Sequence, residues 1–186
     1  REPFLESVVN NCHYLKDHDL LTAGQDGRFS ATQLGTLCAA SGVEIDSFVL
    51  LKDTLSKLDI GDWDPWEIIF PCLHCRELTD LIRIYIRIAH GSGAWEALER
   101  LEPKNREVLC NWSAKKLRGP DDVAKRVQSF LMINDWINGV EMRRIENTYT
   151  APGGNRVLSG TIRNIAENTA WMIQTMGRIA HALDYD

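Results

Sequence analysis

Several features that would announce a function are missing from this sequence. It holds no G-x-x-x-x-G-K-[ST] segment, so it lacks the usual glycine-rich loop for nucleotide phosphates. Neither a nucleophile elbow nor an H-E-x-x-H pair occurs. No apolar run approaches the roughly 18 residues that would suggest a membrane-spanning helix. Positive charge is in deficit: 21 Lys and Arg stand against 26 Asp and Glu, a net charge of −5. There is no basic tail or Lys-rich block, which argues against a generally basic nucleic-acid binder. Any nucleic acid must be met by local placement of side chains.

Cysteine is scarce and odd in number, with Cys12, Cys38, Cys72, Cys75 and Cys110. That is a poor disulfide framework and points to a reducing compartment, hence an intracellular protein of the cytoplasm, nucleoid or nucleus. Cys72-Leu73-His74-Cys75 has the spacing of a zinc half-site or redox pair. A zinc site needs four ligands, no second pair stands at suitable spacing, and burial in a helix accounts for the cysteines better. His13, His18, His90 and His181 are scattered. Asp62 with Asp64, and Asp121 with Asp122, fit loop and helix-cap roles rather than paired catalytic carboxylates. The first residue is Arg1, and the next ten hold no signal-type stretch, so the chain is expected to be cut from a longer polypeptide. No catalytic residue, metal site or cofactor is assigned to this segment.

What is present is helical periodicity. Apolar residues at helical spacing run from Pro3 to Lys16. Leu20–Thr22 and Arg28–Ser30 then flank the turn signal Asp26-Gly27, predicting a hairpin. Ser30 or Thr32 caps a helix through Gln33–Ala39 that Gly42 ends. Further helices are expected over Asp46–Leu58, from Pro65, over Trp95–Leu101, Lys104–Leu117 and Asp121–Gly139. Pro71 should kink or break its helix. Leu81–Ala89 fits either a helix or a strand. Gly91–Gly93 and Ala151–Gly154 read as links. The fold class is therefore all-α: a helical bundle with one long C-terminal helix, plus a short N-terminal β-hairpin.

The longest pattern runs from Ser159 to Leu183. Ile162, Ile165, Ala166, Thr169, Ile173, Met176, Ile179, Ala180 and Leu183 form its apolar stripe. Trp171 lies nearly opposite, on a face with Asn164, Glu167, Gln174 and Arg178, and with Arg163 at its edge. An indole on a polar face either packs against an adjoining helix or offers a flat surface on which a base stacks, worth about 1–3 kcal/mol. The other tryptophans, Trp63, Trp66, Trp95, Trp112 and Trp136, sit among apolar neighbours and read as core or loop anchors. The basic pairs Lys115-Lys116 and Arg143-Arg144 read as solvated faces, with phosphate contact the lesser alternative.

Three stretches resemble a known family. Arg28–Gly35 (RFSATQLG) resembles the segment that leaves the winged helix in Ski-type superfamily 2 DNA helicases, the branch of the archaeal Hjm-type repair helicase and of the helicase part of DNA polymerase theta. Phe130–Gly139 (FLMINDWING) resembles its "D-W-I" helix, and Gly160–Trp171 (GTIRNIAENTAW) the start of its ratchet helix. The resemblance implies residues 1–42 as the C-terminal part of a winged helix and 43–186 as a helical ratchet-type domain. It implies an accessory fragment of an ATP-dependent helicase of DNA repair, with ATP and Mg bound by RecA-like motor domains of the parent chain. The implied partners are single-stranded or forked DNA and those motor domains, with no membrane and a monomeric state. It places the nucleic-acid contact on Trp171, Asn164, Arg163, Arg178, Gln174 and Glu167, with Trp171 stacking on bases. Where the family carries Arg seven residues before that Trp, this chain has Asn164, which neither stacks nor pairs charge as Arg does. Thr161 replaces an expected Asp. A helical protein-interaction module, or the equivalent domain of an RNA helicase, are the alternatives.

Overall fold

The computed structural model describes residues 2–58, 64–88, 94, 120–150 and 157–185. These residues form α1 (Glu2–Asp17), an antiparallel hairpin of β1 (Leu21–Ala23) and β2 (Phe29–Ala31), α2 (Gln33–Ser41), α3 (Ile45–Leu55), α4 (Pro65–Cys72), α5 (Arg76–Tyr85), α6 (Pro120–Ile137), α7 (Met142–Tyr149) and α8 (Ser159–Ala182). The molecule is thus mostly helical with a small hairpin, as the periodicity implies. The expected helices over 95–101 and 104–117, the links at 91–93 and 151–154, and Asp62, Trp63, His90, Trp95, Cys110, Trp112, Lys115 and Lys116 lie outside the described residues. By internal contacts the chain divides into two compact units, Arg1–Ser56 with Gln174–Asp186, and Lys57–Ile173. α8 begins in the second and ends in the first.

In the first unit, local chemistry sets each element. The hairpin register pairs Leu21 with Ala31, Thr22 with Ser30 and Ala23 with Phe29. Its turn closes through Gly24 N–H donating to Arg28 O at 2.8 Å, with Gly27 at φ +75°, a conformation that glycine adopts without steric cost. Thr32 caps α2: its hydroxyl accepts from Gly35 N–H at 3.0 Å. Gly42, at φ +70°, ends the helix in the left-handed conformation. Leu20, Leu34, Cys38, Phe48, Val49, Leu51, Met176 and Ile179 are among the buried residues of this unit. Lys52 Nζ donates to His18 O at 2.8 Å and so ties α3 to the turn after α1. On α1, by contrast, Leu5, Val8 and Val9 are exposed, while Cys12 and Leu15 nearer its end are half-buried.

In the second unit, Asp64 and Glu67 form a reciprocal capping box at the start of α4, with Pro65 at its first turn. Pro71 ends this helix rather than continuing it. It falls in the last turn, and α4 stops one residue later. The segment that fitted either helix or strand resolves into both backbone forms: α5 is helical to Tyr85, and Ile86 is extended. Trp66 stacks on Phe130 of α6 with ring centroids 3.6 Å apart. Arg126 Nη2 donates to Thr79 Oγ1 and Lys125 Nζ donates to Arg83 O, each at 3.2 Å, joining α6 to α5. Burial lowers the pKa of Arg126 despite the opposing pull of Asp122 and Cys75. Leu78, Ile82, Val127, Met132, Ile133, Ile145, Ile162 and Ile165 contribute to this core.

Candidate nucleic-acid interface

α8 owes its position to two links from α7. The N–H of Ser159, at the first turn of α8, donates to Glu146 Oε1 at 2.6 Å. That carboxylate satisfies one of the donors a helix start leaves open, and its charge suits the positive end of the helix dipole. Val157 N–H donates to Thr150 Oγ1 at 3.3 Å, fixing the approach. α7 itself is held to the end of α6 by Tyr149, whose hydroxyl donates to Asp135 Oδ2 at 3.0 Å. Burial, then the bond to and charge of Asp135, raise the Tyr149 pKa well above the usual phenol value.

Along α8 the buried residues are Ile162, Ile165, Ala166, Thr169, Met172, Thr175, Met176 and Ile179. This corrects the stripe read from periodicity in one respect. Met172, rather than Ile173, is fully buried, while Ile173, Ala180 and Leu183 are only half-buried. The arc is thereby rotated toward Trp171. Thr175 lies one turn beyond Trp171, about 40° away around the helix, so Trp171 stands at the border of the buried arc rather than opposite it. It is half-buried.

The rest of the expected face is open to solvent. Arg163, Asn164 and Glu167 are exposed in the second unit; Gln174 and Arg178 are exposed on the final turns of α8, in the first unit. Asn168, one turn from both Asn164 and Trp171, donates its amide to Asn164 O and to Asn164 Oδ1, each at 2.8 Å. With its side-chain oxygen engaged in this way, the exposed Asn164 retains its –NH₂ as a donor. Arg163 and Arg178 form no ion pair among the described residues. Within the second unit the face therefore combines one π-surface, one guanidinium group and one amide side chain with a single carboxylate, Glu167.

Two other groups singled out in the sequence find different places. Cys72 and Cys75 are both buried, but at a junction rather than within one helix: Cys72 ends α4 and Cys75 caps α5. Cys72 Sγ donates to Ile68 O at 3.2 Å, and burial, followed by the neighbouring Cys75, pushes its thiol pKa well up. A thiol held protonated in this way is a poor ligand and a poor nucleophile. Among the described residues no three His, Cys, Asp or Glu side chains come together as a metal ion would need. Among those residues, no helix is long and apolar enough to cross a membrane. Asp64 caps α4, and Asp121 and Asp122 occupy the first turn of α6, the cap-type roles their positions suggested.

Trp136 requires a correction. It was expected to anchor a core or loop, yet it is 40% exposed at the end of α6, beside Ile137 at 64%. The two-residue apolar step there faces solvent because Asp135 is the residue that turns toward α7. Periodicity missed this, and it missed Glu146, whose partner is 13 residues away.

Comparison with known families adds one result. The family described as "Archaeal helicase, domain 4" matches residues 76–186, from the first residue of α5 to the end of the chain. All six residues of the expected face fall within that span. No curated protein matches the chain.

Proposed function

Because the chain belongs to the archaeal helicase domain 4 family, which it matches over residues 76–186, we propose that it is a strand-contacting accessory segment of an ATP-dependent DNA helicase. The observation that carries the proposal is Trp171, half-buried at the border of an exposed polar face on the 24-residue helix α8. A base stacks on an indole without regard to sequence, and such contacts are worth about 1–3 kcal/mol each. Arg163, exposed and outside any ion pair among the described residues, supplies positive charge for a phosphate on the same side of the helix. Asn164 adds a hydrogen-bond donor where an arginine would have added charge.

In this reading the parent belongs to the Ski-type branch. Residues 1–42 are the end of its winged helix and 43–186 its ratchet-type domain. ATP and Mg bind in motor domains of the parent. This segment has no phosphate loop, and its residues are assigned only to strand contact. Helix placement does the work here: a rigid rod held at its start by Glu146 presents the indole at a fixed height, so movement of the parent's motors can shift a strand past it.

Tryptophan-fluorescence titration with oligo-dT tests the proposal. Salt-sensitive quenching is expected in the wild type, and Trp171→Ala should abolish most of it while the far-ultraviolet circular dichroism stays unchanged. Equal quenching in both proteins would remove Trp171 from the site. Stronger binding of oligo-rU than of oligo-dT would move the assignment to an RNA helicase.

A further inference from the structure

We propose that the outward face of α7 is a second contact for a nucleic-acid strand, holding its phosphodiester backbone through Arg143 and Arg144, with Arg163 of α8 beside them. The proposal rests on the reading of α8 given above and extends the contact to another helix.

The orientation of α7 is fixed by what it buries. Ile145 and Tyr149, one turn apart, are buried, and the Tyr149–Asp135 bond holds that side against α6. Arg143, Arg144 and Asn147 consequently occupy the opposite side, and all three are exposed. Neither guanidinium group forms an ion pair or hydrogen bond among the described residues. This is notable in a chain with an excess of acidic groups, because the nearby carboxylates are engaged elsewhere. Glu146 accepts from Ser159 N–H, and Asp135 accepts from Tyr149. Glu141, before α7, is the one exposed acid close in sequence.

The Glu146–Ser159 bond also sets where this charge lies. Arg143 is one turn before Glu146 on α7, and Arg163 is one turn after Ser159 on α8. The 2.6 Å contact between the two reference residues thus puts Arg143, Arg144 and Arg163 each within about one helical turn, along its own helix, of the α7–α8 junction. The positive end of α8's dipole lies at this same junction, partly offset by Glu146. Trp136 and Ile137, exposed at the end of α6, add an aromatic and an aliphatic surface next to α7. Unpaired guanidinium groups beside an exposed indole are the combination that suits a flexible strand: charge for its phosphates, a flat face for a base. A folded acidic protein would be expected to need a larger apolar patch than these two side chains provide.

The test uses the 186-residue protein and fluorescently end-labelled oligo-dT, with affinity read by anisotropy over a series of salt concentrations. Each phosphate neutralised on a single strand contributes about 0.7 to the log–log salt slope. The double variant Arg143→Gln/Arg144→Gln should flatten the slope by about 1.4 and weaken low-salt binding, with quenching at Trp171 still visible at saturation. Arg143→Lys/Arg144→Lys should restore the slope, since a point charge serves a backbone contact. An unchanged slope in the Gln variant, with wild-type binding intact, would overturn the α7 contact and leave α8 untouched. A flattened slope together with no effect of Trp171→Ala would support α7 and contradict the role given to α8. Failure of the wild type to bind at low salt would overturn both.

Discussion

Tyr149 couples two helices through one hydrogen bond, and its ionisation reports on that link. Its hydroxyl donates to Asp135 Oδ2 at 3.0 Å, and burial and Asp135 together raise its pKa in the folded protein. The folded state therefore keeps this proton when the unfolded chain has begun to lose it, near pH 10. By linkage, the contribution is fully present below that pH and is lost as pH rises toward the folded pKa. Urea denaturation of the wild type should show stability falling as pH rises above about 10, more steeply than for Tyr149→Phe. Parallel pH profiles for the two proteins would contradict the assignment. Single residues also explain the thiols. Cys72 is protonated and buried, so the C-x-x-C spacing, suggestive as a string of letters, reflects a junction between α4 and α5.

Among the elements, α2 shows how a motif can have a mechanical meaning. Thr32 caps the helix, and Gly35 lies where any side chain would collide with the preceding backbone: a Cβ there would sit 2.0 Å from Leu20 O. That carbonyl accepts from Thr32 N–H and cannot rotate away as a flexible side chain would. Gly35→Ala should accordingly lower stability by about 1–3 kcal/mol, read from the urea midpoint, whereas a wild-type midpoint would show that α2 shifts freely. Such local devices were legible in the sequence. Thr32, Gly42, the Asp26-Gly27 turn and Pro65 each act within a few residues, so their chemistry can be read without the fold. The long helix was legible too, but not its rotation. Met172 and Ile173 are adjacent and both apolar, and only the packing around α8 decides that Met172 is fully buried. Trp136 was misread for the same reason: an apolar neighbourhood in sequence says nothing about whether another element covers it. The Glu146–Ser159 bond joins residues on two helices, and no periodicity could have revealed it.

For the molecule as a whole, the net charge of −5 limits how a strand can be held. General electrostatic repulsion opposes binding, so the proposed contact depends on cations outside any ion pair among the described residues: Arg163 and Arg178 on α8, Arg143 and Arg144 on α7. Screening acts on each of these exposed charges, and affinity should be correspondingly sensitive to salt. Stacking, by contrast, is nearly indifferent to salt, so the indole would remain in register on a base when the phosphate contacts weaken. Membership of the archaeal helicase domain 4 family gives this arrangement its setting, and the strand contact proposed above is the part of it that the helical segment would carry. The central claim is that a base stacks on Trp171. Photo-crosslinking with oligo-dT carrying a single 5-iodouracil, followed by peptide mass spectrometry, tests it most directly, because the reaction favours an aromatic side chain in contact with the base. An adduct on Trp171, lost when unlabelled oligo-dT competes, is the result predicted. Efficient crosslinking that maps only to other residues would contradict it.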